Sequence, residues 1–291
     1  MLIFLLTLLA CGDDSPVAGL AAGPGSDRPV WMFQENDGRW TRSAEPVAHS
    51  ASSLGLGVEG DRLVLTMQCF WGDCGSESKR KTDGPPVHAL ITRDLQKWSA
   101  AMWRLKDPDD RVPIDTEYRS AGTEAQIWYY GTAAGAVGDP AQHANPHAIF
   151  VANVQDHDLV KPIEMIRGTG LADPAPLEVN GETWLFLTTK PGHAIGLARG
   201  KPLRMVREWN GVSVPHAMRV NDAVWLWAQR VERGRMVPVR SISTDGGQTW
   251  SQWSNPLPMD GIPGCGNPVG AIWQGVPVVF CVTEPLGSAP K

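Results

Sequence analysis

The segment from Ser243 to Trp250 constrains the fold of this chain more than any other. Its sequence, Ser-Thr-Asp-Gly-Gly-Gln-Thr-Trp, fits the pattern S-x-D-x-G-x-T-W at every specified position. Gly246 and Gly247 supply the positive φ angles that a tight turn between two strands needs, and the Asp245 carboxylate can accept hydrogen bonds from N–H groups of that turn. Trp250 is then placed to pack the hairpin against its neighbour. The segment therefore predicts a repeating strand–turn–strand unit.

A second, looser copy of this turn stands at Thr92–Ser99, with the sequence Thr-Arg-Asp-Leu-Gln-Lys-Trp-Ser. The first pattern is the Asp box of sialidase-like (BNR) β-propellers. The second resembles the S-x-D-L-x-x-W turn of five-bladed propeller glycosidases of the arabinanase and fructosidase type. Together they imply an all-β propeller, and the 31 Gly, 24 Pro and 13 Trp residues suit a chain of many turns and strands.

The strand pattern after residue 28 divides into five units, as expected for blades of roughly 40–50 residues. The last unit lacks outer strands, whereas Pro29–Thr41 precedes the first unit and contains two strand-like runs. Because a propeller closes its ring to avoid exposed sheet edges, we expect this N-terminal segment to complete blade five. The alternative is a six-bladed, sialidase-like propeller with residues 27–45 in an additional blade. The predicted units are about Val47–Lys106, Val112–Pro162, Gly168–Val206, Val212–Trp253, and a last one from Gly266.

The N-terminus predicts export. Residues 1–10 form an apolar run that is too short to span a bilayer, which takes about 20 residues in a helix. Leu8-Leu9-Ala10-Cys11 fits the bacterial lipobox, although no Lys or Arg precedes the run. We therefore expect a signal peptide over residues 1–10, a lipidated Cys11 with a flexible tether to residue 27, and one propeller domain over residues 28–291. The protein would be a lipoprotein of the bacterial cell envelope, attached to the membrane through its lipid alone.

Four cysteines remain besides Cys11, an even number that suits an oxidising compartment. The simplest pairing joins Cys69 to Cys74 in a small loop and Cys265 to Cys281 across a hairpin. A cysteine metal site is less favoured, because no C-x-x-C spacing occurs. The net charge is −5, and the sequence has no basic patch of the kind that a nucleic-acid partner requires. We therefore expect no nucleic-acid partner. We expect a monomer.

In a propeller, the starts of the innermost strands converge on one face of the channel, where a site would lie. These positions are predicted at His49, Asp115–Glu117, Asp173, His216 and Asn267. The resemblance to five-bladed glycosidases implies two carboxyl groups flanking a glycosidic bond. Asp115, Glu117 and Asp173 are therefore the candidate catalytic residues, with His49 at the blade-one position where those enzymes carry an aspartate base. The structural alternative for Asp173 is a turn aspartate that bonds backbone N–H groups.

Further residues are candidates for holding a substrate. His49, His216 and Asn267 lie at strand starts, and Trp71 in the Cys69–Cys74 loop offers an aromatic face for a sugar ring. Arg111-Val112-Pro113 resembles the R-I-P strand of sialidases. In that interpretation, further arginines would come from Arg219 and Arg240, and Tyr118 near Glu117 would be the nucleophile.

No resident cofactor is expected. A Ca²⁺ ion held by His49, Asp115, Asp173 and His216 is the alternative, because carboxylates and imidazoles suit metal ions. No H-x-H or H-x-x-x-H spacing on a single strand favours that alternative.

Two functions stay open at this level. One is a lipid-anchored glycoside hydrolase that acts on a glycan at the channel mouth. The other is a binding or scaffold propeller without chemistry, which the histidines at catalytic positions favour. A subunit that binds protein through the propeller rim is a more remote alternative.

Overall fold

The computed structural model describes residues 28–48, 51, 53–68, 87–106, 111–121, 124–133, 146–156, 158–190 and 194–283. Five of the positions singled out in the sequence lie outside these ranges: Cys11, His49, Cys69, Trp71 and Cys74. Every regular element of the described part is a β-strand. That part contains no helix that could cross a membrane.

The strands form five blades, each an antiparallel meander. The five-bladed all-β propeller predicted from the sequence is confirmed. Blade one begins at residue 53, and the two strands that precede it in the chain belong to blade five. The strands in chain order are β1 Val30–Asn36, β2 Arg39–Arg42, β3 Ser53–Glu59, β4 Arg62–Gln68, β5 Val87–Thr92, β6 Trp98–Leu105, β7 Arg111–Ala121, β8 Glu124–Ala133, β9 Pro146–Gln155, β10 Asp158–Thr169, β11 Ala172–Val179, β12 Glu182–Lys190, β13 Ala194–Arg199, β14 Arg204–Asn210, β15 Ser213–Val220, β16 Ala223–Glu232, β17 Arg235–Ser243, β18 Cys265–Trp273 and β19 Val276–Thr283.

Consecutive strands make up each of the first four blades. Blades one and two are β3–β6 and β7–β10, and they join into one eight-stranded sheet because β6 pairs with β10 in parallel over two residues. Blade three is β11–β14 and blade four is β15–β17. The outer edge of blade four is extended by Ser254, which exchanges backbone hydrogen bonds with Arg240 (2.7 and 3.1 Å).

The N-terminal segment closes the ring, as the short last unit of the sequence predicted. Blade five has the strand order β18-β19-β1-β2, and β1 pairs antiparallel with β19 from Val30 opposite Val282 to Gln34 opposite Val278. The segment that the six-bladed alternative assigned to an additional blade is therefore part of blade five.

The predicted ends of blades two and three are too early. The outer strands β10 and β14 run to Thr169 and Asn210. Both strands are largely exposed and mix polar with apolar residues, so they lack the alternation that marks a half-buried strand.

The core consists of five apolar clusters, one in each space between neighbouring blades. Both faces of a blade are therefore apolar, and strands such as β4 and β19 are buried along most of their length. Burial of this kind stabilises the ring at roughly 25 cal/mol per Å² of apolar surface. One buried residue represents each space: Phe280 between blades five and one, Tyr129 between one and two, Leu187 between two and three, Phe186 between three and four, and Trp227 between four and five.

Candidate functional site

A β-bulge recurs where the inner strands of blades two to five begin. Its central residues are Asp115, Asp173, Val214 and Asn267, with φ angles of 47°, 49°, 51° and 50°. The register of each inner strand with the second strand of its blade shifts across this residue. All four residues keep some exposure, although their neighbours are largely buried. The bulges therefore present one side chain per blade at the mouth of the channel, on what we call the upper face.

Left-handed backbone is unusual for residues other than glycine, and most of all for a β-branched valine. Side chains of the preceding blade hold two of these bulges. The Thr188 hydroxyl accepts the Val214 N–H (3.0 Å), and the Gln229 side-chain oxygen accepts the Asn267 N–H (2.9 Å). The conformations of Val214 and Asn267 are thus stabilised by contacts between blades.

The carboxyl groups of Asp115 and Asp173 are hydrogen-bonded to each other. Two carboxylates cannot bond in this way without a proton between them, so the pair holds one. Burial raises the pKa of Asp115 well above its ordinary value, and the adjacent Asp173 charge and the hydrogen bond raise it further. Asp115 therefore binds its proton more tightly than an ordinary aspartate does.

Three further polar side chains surround this pair. The Ser53 hydroxyl bonds the Asp115 carboxyl from blade one. Burial raises the pKa of the Tyr130 phenol, and the nearby charges of Asp115 and Asp173 raise it further. Tyr130 stacks on His147 with ring centroids 5.2 Å apart and planes at 7°. The His147 Nδ1 lies 3.2 Å from the Leu171 carbonyl oxygen, just before the bulge at Asp173.

Glu117 and His216 lie within the channel. The Glu117 carboxylate is 3.0 Å from the Arg119 guanidinium and 3.2 Å from His216 Nδ1, and Nε2 of His216 is 2.6 Å from the Gly270 carbonyl oxygen. Glu117 is 3% exposed and His216 is fully buried. This corrects the expected place of both residues at the channel mouth: they lie two positions beyond the bulges at Asp115 and Val214, and both are buried.

Arg111 and Asn267, two of the residues predicted to bind substrate, lie in different surroundings. The Arg111 guanidinium lies 4.3 Å from the centroid of the Phe150 ring, on a face of blade two. Asn267 occupies the blade-five bulge of the upper face. His49 and Trp71, the other two residues predicted to bind substrate, lie outside the described residues.

The arginines proposed for a sialidase site do not come together. Arg219 bonds the carbonyl of Asn221 at the turn after β15, on the lower face, and Arg240 stacks on Trp225 at 4.0 Å. Tyr118 is buried, and its hydroxyl bonds Glu59 at the lower end of β3.

A metal site receives no support from the part of the chain that the structure describes, where no group of three or more His, Cys, Asp or Glu side chains is placed to hold an ion. His216, one of the predicted ligands, has its Nε2 bonded to the Gly270 carbonyl oxygen and its Nδ1 3.2 Å from the Glu117 carboxylate.

No protein-family model and no curated protein sequence matches the chain. Solved structures do match, and glycoside hydrolases are among them. The fold is that of family-43 glycoside hydrolases.

Three of these structures represent the group. The α-L-arabinofuranosidase from Lactobacillus brevis is 11% identical with a TM-score of 0.59, over 83% of this chain and 86% of that one. The xylan β-1,4-xylosidase from Bacillus halodurans C-125 is 12% identical with a TM-score of 0.59, over 82% and 50%. The exo-β-1,3-galactanase from Phanerochaete chrysosporium, solved with β-1,3-galactotriose, is 11% identical with a TM-score of 0.57, over 88% and 64%. The chain thus spans only half to two thirds of the last two proteins.

Sequence reasoning found both aspartates of the pair and missed the residues around them. One signal was present for Val214, because Val214-Pro215 repeats the pattern of Asp173-Pro174 and Asn267-Pro268 at the start of an inner strand. No local signal marked Ser53, Tyr130 or Arg119, since each reaches its partners from a different blade or from further along its strand.

Proposed function

We propose that this protein is a glycan-directed propeller of the bacterial cell envelope, and that its Asp115–Asp173 pair donates a proton to a glycosidic oxygen. The observation that carries the proposal is the hydrogen bond between the two carboxyl groups at the channel mouth. A general acid needs a carboxyl group with a raised pKa, so that it still holds its proton when the substrate binds. The glycoside hydrolases that share the fold support the same reaction class.

In the proposed reaction, Asp115 gives its proton to the glycosidic oxygen as the bond from that oxygen to the anomeric carbon breaks. Asp173 keeps its negative charge and stabilises the positive charge that develops on the sugar ring. Water then adds its oxygen to the anomeric carbon and loses a proton to a base. His49 is our candidate for that base from its place in the sequence, before the first strand of blade one.

A second candidate function is glycan binding without hydrolysis. The direct contact of the two carboxyl groups favours it, because hydrolysis by two flanking carboxyls uses separations of about 5–5.5 Å or about 6.5–9.5 Å. The pair alone therefore fits neither geometry, and hydrolysis needs a further group. In the binding alternative, the pair and Asn267 would hold sugar hydroxyl groups.

Hydrolysis of arabinan, xylan and β-1,3-galactan by the purified protein tests the proposal. We expect turnover that Asp115→Asn and Asp173→Asn each reduce by at least about 100-fold, the usual contribution of general acid catalysis. Asp222→Asn is the matched control, because that side chain is fully exposed at a turn of the lower face. Absence of turnover with retained binding on a glycan array, lost in Asp173→Asn, would favour the binding function instead.

The lipid anchor is a separate part of the proposal and rests on the Leu8-Leu9-Ala10-Cys11 sequence. We expect Cys11→Ser to move the protein from the membrane fraction to the soluble fraction of a bacterial host that processes lipoproteins. A variant that still sediments with membranes would contradict lipidation at Cys11.

A further inference from the structure

The two aspartates of the pair lie on strands that no sheet joins. Asp115 is on β7, at one edge of the eight-stranded sheet, and Asp173 is on β11, at the edge of the next sheet. No ladder of backbone hydrogen bonds therefore sets the separation of the two carboxyl groups. Side chains that reach from one inner strand to the other have to set it.

Arg119 makes such a connection. Its Nε donates to the Pro176 carbonyl oxygen on β11 (2.7 Å). Its two terminal nitrogens donate to Ala217 O on β15 (3.1 Å) and Leu56 O on β3 (3.4 Å). One guanidinium thus bonds the inner strands of three other blades.

The guanidinium is itself held in place. The Glu117 carboxylate lies 3.0 Å from it, and the side chains of Arg119 and Glu117 are 22% and 4% exposed. The Glu117 carboxylate lies 3.2 Å from Nδ1 of His216, whose Nε2 bonds the Gly270 carbonyl oxygen on β18. Because guanidinium donors form a rigid planar fork, their three acceptors cannot shift independently.

We propose that Arg119 is a positioning residue for the Asp115–Asp173 pair, fixing the inner strands of blades two and three at the separation where the two carboxyl groups share one hydrogen bond. Arg119 is four residues from Asp115, and Pro176 is three from Asp173, so the connection lies about 10–13 Å below the pair. The contact between His147 and Leu171 O joins the same two blades next to the pair. The pair is thus held from both sides.

The inference deepens the proposed function, since it concerns the group that would donate the proton. Its test does not need a substrate. The full chain, labelled with ¹³C at the aspartate side-chain carboxyl, is titrated by NMR, and the two signals are assigned with Asp115→Asn and Asp173→Asn. In the wild type, we expect Asp115 to titrate well above the ordinary aspartate range.

Arg119→Met removes all the donors and keeps much of the side-chain length. We expect it to separate the carboxyl groups and to lower the proton affinity of Asp115 by at least about tenfold, which is one pKa unit. Arg119→Lys keeps the charge beside Glu117 but loses the fork, so an intermediate shift is expected. If Arg119→Met does not fold, the lysine variant decides. A folded variant of either kind with the wild-type titration would overturn the inference.

Arg207→Met is the matched control. Arg207 also joins neighbouring blades through backbone carbonyls, those of Gly247 (3.4 Å) and Gln248 (3.1 Å), but at the lower face. We expect it to lower the melting temperature and leave the Asp115 titration unchanged. An equal shift in both variants would mean general loosening and would refute a positioning role. A shift in Arg119→Met alone, in a protein without glycan turnover, would support the positioning role and count against the proposed hydrolysis.

Discussion

The indole of Trp98 meets the ring of Phe280 edge to face, with centroids 6.1 Å apart and planes at 86°. Trp98 follows the turn of blade one, whereas Phe280 lies on the second strand of blade five. Trp250 makes the same contact with Phe186 (5.9 Å, 80°), from blade four to blade three. In both cases the tryptophan after an aspartate turn packs on the second strand of the preceding blade. The turns therefore contribute to the contact between blades as well as to their own hairpins.

The two glycines of the Ser243–Trp250 turn differ in a way that a matched pair of variants can measure. Both have positive φ, 69° for Gly246 and 85° for Gly247. A Cβ at Gly246 would meet nothing within 4 Å, whereas a Cβ at Gly247 would overlap the ring of Trp184 on blade three.

We expect Gly246→Ala to destabilise the protein by about 1 kcal/mol, the usual cost of left-handed backbone without glycine. Gly247→Ala carries the same strain and adds about 1–3 kcal/mol of overpacking. Urea denaturation of both variants checks the difference. Equal losses would mean that the turn does not press on blade three as the structure describes.

Asp245 makes the stability of this turn sensitive to acid. Its carboxylate accepts hydrogen bonds from the Thr249 N–H (2.9 Å) and hydroxyl (2.5 Å) and from the Ser243 hydroxyl (2.9 Å). These bonds, those from Thr249 above all, lower the pKa of Asp245 to about 2. Because the folded-state value lies below the unfolded one, the stabilisation is complete above the unfolded pKa, near 4, and is lost as the pH falls through about 2.

The melting temperature of wild type minus that of Asp245→Asn, measured from pH 7 to pH 2, checks this expectation. The difference should be constant above about pH 4 and shrink toward pH 2. Asp222→Asn is the control, since its exposed side chain makes only a 3.8 Å contact with Arg219. A difference that does not change with pH would contradict the role of the Asp245 charge.

The sequence predicted the ring of blades well because its signals are local. The turns at Asp94 and Asp245 are specified within eight residues each, and the missing outer strands of the last unit pointed to closure by Pro29–Thr41. The channel was not predictable in the same way. Glu117 was expected at the channel mouth from its distance along the strand, but the bulge at Asp115 changes which side each following residue faces.

The outcome for Asp115 and Asp173 shows the same limit. Their places at the starts of inner strands could be derived from the blade repeat. Their direct contact could not, because it depends on how two separate sheets are held together, through Arg119 and through His147. Those contacts join residues 57 and 24 positions apart in the chain and leave no local pattern.

The disulfide between Cys265 and Cys281 bears on ring closure. It joins the start of β18 to the end of β19 across 16 residues, and Cys281 stands opposite Trp31 on the N-terminal strand. A loop of this length corresponds to about 3 kcal/mol of stability in the chain-entropy model.

We expect Cys265→Ala/Cys281→Ala to lower the melting temperature by roughly 6–12 °C, at about 2–4 °C per kcal/mol for a domain of this size. Wild type with its disulfide reduced should melt close to the double variant, and an unchanged melting temperature would contradict a stabilising bridge.

The raised pKa of Asp115 gives the folded protein a stability that falls as the pH rises. The cause is burial first, followed by the neighbouring Asp173. Since the folded state binds this proton more tightly than the unfolded state does, the contribution is complete below about pH 4 and is lost as the pH rises through the folded-state value, at up to about 1.4 kcal/mol per pH unit.

Asp115→Asn removes the titrating group and keeps a side chain of the same shape. The free energy of unfolding of wild type relative to this variant, from urea denaturation between pH 4 and pH 9, should therefore decline with pH. In Asp173→Asn, where the adjacent charge is gone but burial remains, the decline should begin at the same pH, which the unfolded state sets, and end at a lower pH. Parallel curves for wild type and Asp115→Asn would mean that folding does not raise the pKa of Asp115. Asp115 would then not be the general acid.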